Sequence, residues 1–177
     1  MLSRPVVFDA SVLLNLLATR QPANVIRSLG SQGLVCSAVA DEALYVRPER
    51  LGEPPELVNL QPLLDTGVLE ICELQGDEEY GLYVRYAMNL DDGEAMSLAI
   101  CSVRGHAIAT DDRKARQLAS LSHQIVSLGT PEILRCWSSV EKPGAQQIRE
   151  VLRRIEVSAR FHPNANDPLQ AWWDSFR

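Results

Sequence analysis

Apolar residues fall along this chain in short runs separated by turns and amphipathic stretches, the rhythm of strands alternating with helices. The run Pro5-Val6-Val7-Phe8 stops at Asp9, and Ala10 to Leu17 continues as an apolar helix interrupted by Ser11 and Asn15. A second helix is predicted from about Pro22 to Leu29, ended by Gly30, followed by a buried strand over Gly33–Cys36. Ser37 reads as the N-cap of a helix from Ala38 to Val46. Pro48, Gly52, Pro54 and Pro55 make Arg47 to Pro55 a loop, and a helix from about Glu56 to Asp65 leads to a strand over Val68–Cys72. Helices over Asp77–Met88, Gly93–Val103 and Asp111–Leu121 alternate with strands at Ile108 and at Gln124–Ser127. Thr130 as N-cap and Pro131 at N1 open a further helix to about Ser138. Five short strands alternating with helices predict an α/β fold whose parallel sheet carries helices on both faces.

No linker interrupts this pattern before Lys142-Pro143-Gly144, so residues 1–140 are expected to form the main domain. Residues 141–177 are expected to be a helical extension packed on it: a helix from Ala145 to about Ser158, then a last short helix capped by Asp167-Pro168. That last helix carries Trp172, Trp173 and Phe176, which either stack on bases or, the reading favoured here, clip the helix to the domain or to a second subunit. A chain of 177 residues, 46% apolar and 23% charged, has the make-up of a globular domain. No apolar stretch approaches the roughly 18 residues of a membrane span, and Asp9 interrupts the N-terminal run with no cleavage site after it, so a cytoplasmic protein is expected. The four cysteines lie far apart in apolar surroundings, the pattern of reduced, buried thiols. A net charge of −6 argues against a general nucleic-acid binder but leaves room for a nuclease, whose carboxylates themselves add negative charge.

The chemistry lies in the acids at strand ends. Asp9 ends the first strand; Asp111 and Asp112 follow the strand at Ile108; Glu94 sits in the first turn of a helix opening Asp91-Asp92-Gly93. In a parallel sheet the carboxyl ends of strands face one crevice. Carboxylates gathered there repel unless a cation lies between them, and a hard divalent ion, Mg²⁺ or Mn²⁺, suits oxygen donors. Each acid also has a plainer reading as a helix cap. A cap needs only one carboxylate of the pair, which makes Asp112 the first choice as ligand and Asp111 the cap or outer ligand. Asp41 and Glu42 lie on an otherwise apolar stretch, either as its solvent-facing strip or, for one of them, facing the crevice. His106, His123 and His162 are scattered and form no catalytic pattern.

The segments VVFDASVLL, LDDGEAMSLAI and IATDDRKAR, in that order and with an acid in an early apolar helix between the first two, resemble the PIN-domain family over about Val6 to Leu134. These are metal-dependent ribonucleases, best known as VapC-type toxins of toxin–antitoxin modules. The resemblance implies a PIN-like three-layer α/β/α fold with a central parallel sheet of about five strands. It implies Asp9, Glu42, Glu94 and Asp112 as the acidic site, with Asp9, Glu94 and Asp112 on Mg²⁺ or Mn²⁺. Ser11, Thr110, Asp111 and Asp91 would flank it. It further implies hydrolysis of RNA to a 5′-phosphate and a 3′-hydroxyl, a homodimer, and an antitoxin partner. Basic groups beside the crevice, Arg113, Lys114 and Arg116, are the candidate substrate contacts, with Arg47 and Arg50 in the Pro-rich loop as further ones. A haloacid-dehalogenase-like phosphatase would want a second Asp two positions after Asp9, where Ser11 stands. The remaining alternative is an inactive PIN-like binding or scaffold domain.

Overall fold

Three consecutive apolar residues, all fully buried, form the first strand, β1 (Val6–Phe8), at the centre of a parallel sheet. A strand covered on both faces reads as a continuous apolar run. The computed structural model describes residues 3–42, 44–49, 52–121 and 125–177. After β1 come α1 (Ala10–Ala18), α2 (Pro22–Arg27), β2 (Gly33–Cys36), α3 (Ser37–Ala40), β3 (Tyr45–Val46), β4 (Glu56–Leu57), α4 (Gln61–Asp65) and β5 (Leu69–Cys72). The chain continues through α5 (Gly76–Tyr86), α6 (Asp92–Arg104), β6 (Ala107–Ala109), α7 (Arg113–Leu121), β7 (Ser127–Leu128) and α8 (Thr130–Glu141). It ends with α9 (Ala145–Arg154), which runs into a π-helical turn (Ile155–Ala159), and α10 (Gln170–Asp174).

The main sheet has five parallel strands in the order β5-β2-β1-β6-β7, flanked by helices as a three-layer α/β/α fold. Helices α1, α2 and α8 pack together, and α6 packs with α3, α5 and α7. Leu13, Leu16, Leu98, Ile108, Ile133 and Trp137 are among the large side chains wholly buried between layers. The chain steps outward from β1 to β2 and β5 on one side, then returns to β6 and β7 on the other. Crossover direction therefore reverses between β1 and β6, and such a switch point opens a crevice at the strands' carboxyl ends.

The helix expected from Ala38 to Val46 ends at Ala40. Tyr45 is exposed and Val46 buried, and this pair forms an antiparallel ribbon with Glu56 and Leu57. Arg47 precedes Pro48, which disfavours helical backbone at that point, and its N–H donates to the Ser158 carbonyl, 2.9 Å away. The helix expected from Glu56 is correspondingly shortened to Gln61–Asp65. Of the expected strand over Gln124–Ser127, Gln124 lies outside the described residues and the strand is Ser127–Leu128. Gly129, not Thr130, holds the N-cap position of α8. The last helix starts at Gln170; Asp167 accepts from the Leu169 N–H (2.8 Å) in the turn before it.

Trp173 is fully buried and donates its indole N–H to Glu156 Oε1 (2.8 Å), with Phe161 edge-on to it at 5.8 Å. It is not free to stack on a base. Trp172 is half-buried beneath the Arg135 guanidinium, 5.4 Å from its ring. The π-helical turn lies against α1, so the C-terminal segment touches the body near the start of the chain. All four cysteines are free thiols. No described helix is long and apolar enough to cross a membrane.

Candidate active site

Asp9 follows β1 directly, and its N–H donates to the Ala109 carbonyl (2.9 Å), which seats it beside the end of β6. It holds the N-cap position of α1, yet its side chain makes no cap hydrogen bond. Its Oδ2 instead accepts from Ser11 Oγ (2.7 Å) and from Thr110 Oγ1 (3.1 Å). The carboxylate is 3% exposed, and burial pushes its pKa up against those two bonds. Thr110 is fully buried; its hydroxyl also accepts the Asp112 N–H (3.1 Å), so one side chain sets both Asp9 and the turn carrying Asp112.

The adjacent acids Asp111 and Asp112 are held by different partners, and the helix cap expected of Asp111 falls to one oxygen of Asp112. Asp112 caps α7, its Oδ1 accepting from the Ala115 N–H at 2.8 Å. Asp111 accepts from the Thr130 N–H (2.9 Å), from Thr130 Oγ1 (2.5 Å) and from Asn15 Nδ2 (2.9 Å). Asp111 thus ties the end of β6 to the starts of α8 and to α1. Asn15, buried at 4% exposure, was not singled out as a site residue; its signal is a lone amide in the otherwise apolar turns of α1.

Across the crevice, Asp91 caps α6 by accepting the Glu94 N–H (2.8 Å). Asp92 turns outward and accepts from the Tyr83 hydroxyl (3.1 Å). Glu94 is half-buried; burial first, then Asp91, Asp112 and Asp9, push its pKa up to about 7. Glu42 is raised by burial and by the charges of Asp91 and Asp9. A Cβ on Gly93 would stand 2.9 Å from Glu42 Oε1 and 2.8 Å from Val39 Cγ2, so the missing side chain at 93 lets Glu42 lie against α6. These contacts place Glu42, itself exposed like Asp41, beside the other acids.

Five acids from four parts of the chain therefore share one field: Asp9, Glu42, Asp91, Glu94 and Asp112. Among the described residues, no three His, Cys, Asp or Glu side chains stand as a ready-made metal cage. The donor set is nonetheless all hard oxygen, and the charges acting on Glu94 and Glu42 across the rim are all negative. Such a set fits a divalent oxygen-seeking cation, because that charge offsets the burial and the mutual repulsion that raise the acids.

The three basic candidates behave differently. Arg116 is paired to Glu132 at 2.8 Å and packs over Gly129, where a Cβ would also meet Asp111 Oδ1 at 2.8 Å and Glu132 Oε2 at 2.9 Å. Arg113 and Lys114, on the first turn of α7, are exposed and without a partner among the described residues. Arg47 is exposed, and Arg50 and His123 lie outside the described residues. His162 pairs with Asp174 (2.9 Å).

A family model described as a PIN domain matches residues 5–165, nearly the whole chain. No curated protein and no solved structure matches it.

Proposed function

Because the chain belongs to the PIN-domain family, a family of nucleases, we propose that it is a divalent-metal-dependent ribonuclease acting at the acidic rim. The observation that carries this reading is the meeting of Asp9, Glu42, Glu94 and Asp112 at the switch point between β1 and β6. Asp9, Glu94 and Asp112 are the residues that would hold Mg²⁺ or Mn²⁺. When bound, such an ion neutralises phosphate charge and makes water a better nucleophile.

The remaining work falls to side chains. Thr110 and Ser11 hold Asp9 by hydrogen bonds, and Asp91 fixes the turn from which Glu94 projects. Glu42, its affinity for a proton raised, takes the proton of the attacking water. The water oxygen bonds to phosphorus, the bond to the 3′ oxygen breaks, and that oxygen takes up a proton from solvent as Glu42 gives its own back to solvent, leaving a 5′-phosphate and a 3′-hydroxyl. No nucleophilic side chain is needed.

The VapC-type toxin role and an antitoxin partner are supported by the motif resemblance. A homodimer is supported as well by an apolar stripe on and just beyond α5, where Tyr80, Val84 and Met88 are 54%, 64% and 74% exposed at four-residue spacing. The test of the nuclease reading is cleavage of a structured RNA pool with Mn²⁺, beside EDTA and Asp112→Asn. Cutting that needs the metal and vanishes in the variant supports it. Intact RNA, from protein that also fails to bind Mn²⁺, leaves the scaffold alternative.

A further inference from the structure

Beside the acidic rim, the first turn of α7 and the segment between the π-helical turn and α10 enclose a cleft of about 810 Å³. That volume lies within the roughly 300–1,000 Å³ typical of small-ligand sites. One wall carries Asp111, Arg113 and Arg116; the other carries Asn164 and Asn166, with Phe161 as an apolar surface. Most of its polar side chains are already hydrogen-bonded. Asp111 is engaged by Thr130 and Asn15, Arg116 by Glu132, and one oxygen of Asp167 by the Leu169 N–H. His162 is engaged by Asp174. Arg113 alone has no partner among the described residues, so it is the one cation the cleft leaves free, beside the carboxylates of Asp111 and Asp167, whose hydrogen bonds come from uncharged groups.

The cleft opens beside Asp9: the Asp111 N–H donates to Ser11 Oγ (3.4 Å), and Ser11 Oγ donates to Asp9 Oδ2 (2.7 Å). A strand with its phosphate at the acids would pass its next nucleotide along this wall. Asn164 uses its Oδ1 on the Asn166 N–H (2.9 Å), which leaves its amide NH₂ and the whole Asn166 amide exposed to the cleft. Side-chain amides offer donor and acceptor together, the chemistry that reads the edge of an unpaired base.

We propose that this cleft is a nucleotide subsite for single-stranded RNA, with Arg113 on a phosphate and Asn164 and Asn166 on the base beside the cut. The inference rests on the ribonuclease reading for its substrate. It makes the C-terminal segment, which a minimal acidic site does not require, the specificity-determining wall.

The test is photo-crosslinking of a random-sequence, 4-thiouridine-substituted RNA 12-mer to the full chain, in EDTA and in Mn²⁺, with crosslinked peptides identified by mass spectrometry. Crosslinks are expected in the peptide holding Phe161 to Pro168. Arg113→Ala should weaken binding about tenfold and lower the log–log salt slope by about 0.7, the value of one single-strand phosphate contact. The double variant Asn164→Ala/Asn166→Ala should flatten the base preference at one product end, while Asn24→Ala, exposed on α2, leaves it as it was. Cleavage with crosslinks only elsewhere overturns the cleft and spares the nuclease. Crosslinks in this peptide without cleavage support RNA binding here and sink the nuclease. Product ends unchanged in the double variant also overturn the proposal.

Discussion

At the scale of single residues, Thr110 is the most economical place to test the site without touching a carboxylate. Its hydroxyl serves Asp9 and the Asp112 N–H at once, the first bond buried and the second partly so. Thr110→Val keeps the shape and removes both bonds. Loss of a hydrogen-bonding partner behind a metal ligand costs about 10- to 100-fold in affinity or activity. That drop should appear in Mn²⁺-dependent cleavage, with circular dichroism unchanged. Glu94 gives a second handle. Burial and three neighbouring acids hold it at about 7 against an ordinary value of 4.5. Between those values the folded chain binds more protons than the unfolded chain does. Its contribution to stability is therefore full below 4.5 and lost as pH rises through about 7. Urea midpoints measured in EDTA should fall over that window, and the fall should shrink in Glu94→Gln. An equal fall in that variant assigns the effect to another group.

At the scale of elements, α3 and α6 meet across a gap that only glycine leaves open. In Gly93→Ala the new methyl collides with Val39 Cγ2 and Glu42 Oε1. Overpacking costs about 1–3 kcal/mol, against about 0.8–1 kcal/mol gained in helix propensity. The expected outcome is a modest loss in urea denaturation and a larger loss in cleavage, because the flexible Glu42 gives way first. The same region shows where the chain's pattern was readable. β2 fell on its expected bounds because four apolar residues between turn signals allow little else. Ala38 to Val46 read as one helix because Tyr45 and Val46 fit either periodicity; their partner strand at Glu56 lies beyond a Pro-rich loop and is invisible locally. The crevice acids were legible as strand-end carboxylates. That Asp112 and not Asp111 caps α7 was not, since Asn15 and Thr130, distant in sequence, hold Asp111. Trp173 was legible as an anchor and not in its partners, Glu156 and Phe161, which only the folded chain supplies. Trp173→Ala should cost about 3–5 kcal/mol in denaturant unfolding, as for other buried aromatics.

At the scale of the whole molecule, the fold stores repulsion at one point of its rim and is stable in spite of it. The sheet brings Asp9 and Asp112 together, α6 adds Asp91 and Glu94, and the segment after α3 adds Glu42; Asp9 at its strand end, and Asp91 and Asp112 in their helix caps, cannot retreat without breaking those bonds. A cation that binds the folded chain and not the unfolded one must therefore stabilise the whole domain. At a free ion concentration one hundred times its dissociation constant, the gain is about 2.7 kcal/mol. For a chain of this size that corresponds to a rise of about 5–10 °C in melting temperature. The rise should be larger at pH 8 than at pH 5.5, because Glu94, with its pKa near 7, must lose its proton to become a ligand. Differential scanning calorimetry across Mn²⁺ concentrations checks it, with Asp9→Asn as the comparison. A shift that survives Asp9→Asn places the ion elsewhere on the surface. A shift that disappears in this variant and returns on raising Mn²⁺ locates binding at the strand ends, where the sheet's topology gathers the acids.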